Sequence, residues 1–221
     1  MLDPTLPVAT LVLDHSECAA VLARHRIDYC CKGQQPLAEA CAARGLEVQK
    51  IVDELELAIA RRTPKTSDRD PRTMTTREVI ATLIAPHHQY LHRTMPYLQT
   101  LAAKVARVHG DHEPKLRDVA SQFDTLVETL RAHLAEEEHV LFPALIDGRL
   151  QEAAPLLRDM SEEHEQVGEM LERLRESAAD YVPPEWACNS YRTLMKELEA
   201  LEADTLTHVH LENHVLLPRY S

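Results

Sequence analysis

His133-Leu-Ala-Glu-Glu137-Glu-His-Val-Leu-Phe-Pro143 returns later in the chain as His208-Val-His-Leu-Glu212-Asn-His-Val-Leu-Leu-Pro218. Each copy sets a histidine four residues before a glutamate, and on a helix that spacing stacks the two side chains on one face, a turn apart. Two further histidines extend the repeat, because His88 precedes His133 by 45 residues and His164 precedes His208 by 44. The second half of the chain therefore reads as a duplicated helix pair.

The apolar residues give the direction in which these groups point. After Pro114 the seam runs Leu116, Val119, Phe123, Leu126, Leu130, His133, Glu137, Leu141, in steps of three and four. His133 and Glu137 thus occupy core positions. The last stretch repeats the pattern with Leu194, Leu198, Leu201, Thr205, His208, Glu212 and Leu216, and the third places His164 between Met160 and Val167. In the first, Ile80, Ile84, His88, Leu91 and Met95 select His88 over its neighbour His87. A lone histidine on an apolar face is more often a hydrogen-bonded core residue than a ligand. Six polar groups in phase with four seams are another matter, since burying them without partners costs several kcal/mol per group and calls for a compensating charge, which a bound metal supplies.

The 221 residues contain only five glycines and 4% aromatic residues, and no stretch alternates with period two. An all-α protein is predicted. The Thr75-Thr-Arg-Glu78 capping box opens the first of four long helices. Pro86 and Pro96 should kink it or loosen a turn on either side of His88, the second runs from near Pro114 to Gly148, the third from about Gln151 to Ala179, and the fourth from beyond Pro184 to about Pro218. This is an up-down-up-down four-helix bundle over residues 74–221. Residues 61–73, polar and proline-bearing, form a linker, and residues 1–60 a small helical domain whose thin core suits homodimerisation through it.

A net charge of −12, with scattered Lys and Arg, argues against nucleic acid as a partner. No apolar run approaches a membrane span, and the start lacks a basic then apolar leader, so a cytoplasmic protein is expected. Five cysteines without framework spacing fit a reducing compartment. Within Asp28-Tyr-Cys-Cys-Lys-Gly33, Gly33 suits a turn and Lys32 could lower a thiol pKa.

Four imidazoles and two carboxylates are too many ligands for one tetrahedral zinc and too rich in nitrogen for Mg or Ca. With Glu137 and Glu212 bridging, two metals each receive two histidines and share an oxo or hydroxo group. Symmetry assigns His88 and His133 to one metal and His164 and His208 to the other, with the alternative pairing open. Ligand chemistry leaves iron, manganese and zinc open as well. A ferritin-type site asks for Glu-x-x-His on two helices, and here Leu211 stands where the second Glu should be. His92 is a candidate outer group or further ligand, and Glu136, Glu163 and Tyr90 candidate outer groups. His139, His210 and His214 fall off the seam and are expected at the surface.

Taken with Asp28-Tyr-Cys-Cys, these residues resemble the hemerythrin-like di-iron proteins of the repair of iron centres (iron-sulfur cluster repair) family, over nearly the whole chain. The resemblance implies two Fe ions and the repair of iron-sulfur proteins damaged by nitric oxide or oxidants, by iron delivery, nitric oxide handling or both. It also implies that Cys30 and Cys31 take part in thiol, nitrosyl or iron transfer. The ligand set is one histidine short of oxygen-carrying hemerythrin. Reduction of nitric oxide at the di-iron site, an enzyme activity, and a nitric oxide or oxygen sensor or buffer are the alternative functions.

Overall fold

The computed structural model describes residues 2–62 and 69–220, so part of the expected linker, residues 63–68, lies outside the described residues. Among the described residues every regular element is helical, and an isolated bridge between Pro7 and Pro36 supplies the β-type pairing. Two compact units are present, Met1–Val79 with Leu206–Ser221, and Ile80–Thr205.

The first unit contains α1 (Val8–Asp14), α2 (Cys18–Arg24), α3 (Leu37–Ala43) and α4 (Val48–Arg61). Its core joins Val8, Leu11, Leu22, Leu37, Ile51 and Leu55 with Val209 from the end of the chain. Each such side chain contributes about 1.5–3 kcal/mol on burial, so the C-terminal segment is a structural part of this small core. The tail is fastened further by Arg219 Nη2 donating to Pro71 O at 3.3 Å and by a 2.9 Å hydrogen bond between the Tyr220 and Thr76 hydroxyls.

α5 (Thr76–Leu83) opens on the expected capping box, with Thr75 N donating to Glu78 Oε2 at 2.7 Å and Glu78 N to Thr75 Oγ1 at 3.3 Å. The second unit continues through α6 (Gln89–His109), α7 (Lys115–Glu136), α8 (Phe142–Asp147), α9 (Leu150–Ser177) and most of α10 (Asn189–Leu211). α6 and α7 run antiparallel, since His88 at the start of α6 meets Glu138 just beyond α7 while Gln99 meets Asp124 at 2.9 Å. Gly148, at φ 73°, ends α8 in the left-handed conformation that glycine adopts without cost. Beyond α9 the turn residues Ala179, Asp180 and Tyr181 also have positive φ. A buried network holds this costly backbone in place, with Arg175 Nε donating to Glu202 at 2.9 Å and Tyr181 OH at 2.6 Å.

Among the described residues, three one-turn π-helical widenings interrupt the long helices, at Ile84–His88, Glu137–Leu141 and Glu212–Leu216. The expected kink at Pro86 takes this form, whereas α6 runs unbroken through Pro96. The widening shifts the core phase. Leu83, not Ile84, is fully buried, and the next buried position is His88, five residues on.

Candidate metal centre

The second unit brings four of the six expected ligands together. His88, His133, Glu137 and His164 are all buried. Glu137 turns one carboxylate oxygen to each side: Oε1 lies 3.4 Å from His133 Nε2 and Oε2 lies 3.5 Å from His88 Nε2. His164 Nε2 is 3.2 Å from His133 Nε2. His133 therefore groups with His164, and His88 stands on the opposite oxygen. This grouping follows the alternative pairing and not that of His88 with His133, since different oxygens of Glu137 face the two rings.

Two outer carboxylates determine how the rings are turned. Glu163 Oε2 accepts from His133 Nδ1 at 2.9 Å, and Glu138 Oε1 accepts from His88 Nδ1 at 2.9 Å. The hydrogen bond from His133 holds Glu163 below the usual carboxylate range. Burial opposes ionisation of Glu138, yet hydrogen bonds from His92 and His88 keep it below that range too. With Nδ1 donating, a neutral imidazole carries a lone pair on Nε2. Two acceptor edges thus face the Glu137 carboxylate in a buried site, an arrangement that a cation makes favourable. Carboxylate, histidine and cation in line is the usual way in which proteins orient a metal-binding imidazole. The donor set fits a metal of borderline softness.

Glu138 was not among the expected outer groups, although it follows Glu137 directly and lies one position from the seam. His92 is half exposed and donates to the same Glu138 oxygen at 2.9 Å, which places it as an outer group. Glu136 and His139 are exposed. Burial, with the nearby Asp204 and Glu197 carboxylates, raises the pKa of Tyr90.

The first unit holds the other expected ligand pair and the vicinal cysteines. His208 and Glu212 are buried, with Nε2 and Oε1 3.0 Å apart. Cys30 is buried and Cys31 half-buried, and their sulfurs lie 3.4 Å apart. Asp28 Oδ1 accepts from the backbone N–H groups of Cys30 and Cys31 at 3.1 and 2.8 Å and from the Cys30 thiol at 3.3 Å. The Cys31 thiol, burial and the Asp28 charge all push the Cys30 thiol well above its usual range, so Lys32 does not make this thiol a ready thiolate.

His210 and His214 are not surface residues. His210 is buried and its Nδ1 donates to Tyr29 O at 3.1 Å, while His214 Nε2 donates to Cys30 O at 2.9 Å and Asn213 Nδ2 to the same oxygen at 3.0 Å. The seam reading missed them because the face of α10 away from the histidine–glutamate pair packs against the N-terminal loop within the first unit. Burial, then the His214 charge, lowers the His210 pKa to about 4, against the upward pull of the Tyr29 carbonyl. Gly33 is required by close approach: a Cβ there would lie 2.6 Å from Tyr29 O and Ala9 Cβ, and nearer still to His214.

Residues 79–220 match the family described as the hemerythrin HHE cation binding domain, and residues 5–59 match a domain of unknown function, DUF542. The chain is similar to the iron-sulfur cluster repair protein YtfE of Enterobacter sp. (strain 638), at 32% identity over 96% of this chain and 95% of the relative. Proteins of the same name from Shigella boydii serotype 4 and Escherichia coli O1:K1 are 32% and 31% identical over the same shares. No helix among the described residues is long and apolar enough to cross a membrane.

Proposed function

The chain belongs to the iron-sulfur cluster repair family with a hemerythrin HHE cation binding domain, and from that membership we propose that it is a non-haem di-iron protein that restores iron-sulfur clusters damaged by nitric oxide or oxidants. His88, His133, Glu137, His164, His208 and Glu212 are the proposed ligands, with the two glutamates bridging and an oxo or hydroxo group shared. The observation that carries this reading is Glu137, buried between the acceptor edges of His88 and His133. Charge supports two divalent ions: the carboxylates of Glu137 and Glu212, with Glu138 and Glu163 behind the histidines, offset two such cations.

When bound, iron supplies ferrous–ferric redox chemistry and coordination positions for a small ligand such as nitric oxide or oxygen. The chain's own residues hold and release it. Glu138 and Glu163 keep the Nδ1 protons of His88 and His133 and so present Nε2 as donor atoms. Cys30 and Cys31 are the proposed thiols of the transfer step, on damaged iron-sulfur proteins as partners.

The test is reactivation of a nitrosylated or iron-depleted cluster enzyme by anaerobically purified protein. Recovery beyond that from an equal amount of free ferrous iron is expected, and recovery equal to free iron would overturn repair. Production of nitrous oxide from nitric oxide by the diferrous protein would instead assign nitric oxide reduction.

A further inference from the structure

The two copies of the repeat have diverged at the position after the glutamate. In the first copy Glu138 follows Glu137 and orients a histidine of the candidate centre. In the second copy the same position is Asn213, which with His214 donates to the Cys30 carbonyl. The following histidine diverges as well: His139 of the first copy is exposed and bonds its own helix at Ala135 O. His210, which holds the Tyr29 carbonyl, has Ala135 as its counterpart.

The two contacts to the Cys30 carbonyl lie within one π-turn. Glu212 begins it, and Asn213 and His214 are its next two residues. We propose that Asn213 and His214 are positioning residues through which the state of Glu212 governs the exposure of the Cys30-Cys31 dithiol: a metal on Glu212 keeps Cys30 buried, and its loss releases the thiols. This rests on the reading of Glu212 as a metal ligand.

Two physical arguments set the direction. A π-turn is a rare geometry that persists where a functional contact maintains it, so losing that contact favours the narrower α-turn and turns Asn213 and His214 away from Cys30 O. A buried carboxylate deprived of its cation is also driven toward water, which loosens the same turn. Gly33 belongs to the same contact, since its missing Cβ is what lets His214 approach Tyr29 and Cys30. The dithiol is thereby offered when iron has left and withheld while iron is bound.

The experiment compares the rate at which iodoacetamide labels Cys30, located by peptide mass spectrometry, in full-length Cys188→Ser protein that is metal-free or loaded with ferrous iron anaerobically. Iron per chain is measured on the same samples. Two hydrogen bonds of ordinary net strength predict labelling about thirtyfold faster in the metal-free protein. In Asn213→Leu/His214→Leu, compared at equal iron per chain, the two rates should converge on the fast one, and His214→Gln, which keeps a donor, should restore part of the difference. Equal rates in protein carrying two irons would overturn the coupling alone, as would a difference that survives the double substitution. Failure of Glu212→Ala to lose iron would overturn the ligand reading and the coupling with it.

Discussion

At the residue scale, the carboxylates of the candidate centre are distinguished by what they touch. Glu137 faces two ring nitrogens, while Glu138 and Glu163 face the opposite edges of the same rings. Glu163→Gln keeps the shape but weakens the acceptor that fixes His133, and a loss of about 10–100-fold in metal affinity is expected from competition with a chelator. The seam phase identified His88 over His87 and marked His133, Glu137, His164, His208 and Glu212 as inward, because burial on a helix follows its period. It did not reveal Glu138, whose partner is fifty residues away. Nor did it reveal His210 and His214, whose partners lie on the loop at Tyr29 and Cys30, because contact with a distant loop leaves no mark in local periodicity.

At the scale of elements, helix starts and stops were legible wherever capping chemistry announces them. The Thr75–Glu78 box and the left-handed Gly148 are both in place. Hydrogen bonds from the Thr75 backbone and hydroxyl and from Arg69 hold Glu78 down at about 2. A folded-state pKa below the usual 4.5 means that the stability due to ionised Glu78 is complete above about pH 4.5 and declines as pH falls toward 2. Glu78→Gln should therefore melt below the wild type at pH 7, and the gap should narrow at pH 3. A gap that stays constant would show that the cap does not depend on charge. The π-turns at Glu137–Leu141 and Glu212–Leu216 were not legible, because one inserted residue changes the phase without changing composition. A second element-scale prediction concerns the end of α9: Glu202→Leu leaves Arg175 buried without its carboxylate and should cost about 3–5 kcal/mol in denaturant unfolding. Arg175→Met/Glu202→Leu should recover most of that loss.

At the scale of the whole molecule, the all-α class and the repeat were readable from composition and period, whereas the grouping of Leu206–Ser221 with the N-terminal residues was not, since it depends on contacts across the length of the chain. Removing residues 206–221 takes Val209 from the first unit's core and the donors of Asn213 and His214 from its cysteine loop. Amide exchange in α1 and α2 should then accelerate by at least about tenfold, the equivalent of one lost core valine; unchanged protection would show that residues 2–62 are stable without the tail. The central claim is the proposed six-ligand centre, three ligands from each copy of the repeat, and the most direct measurement is metal content per chain of anaerobically purified protein, with His133→Ala and Glu212→Ala beside the wild type. Close to two irons in the wild type, lost in both variants, is the predicted result; a single zinc, or no metal, unaffected by either substitution, would contradict it.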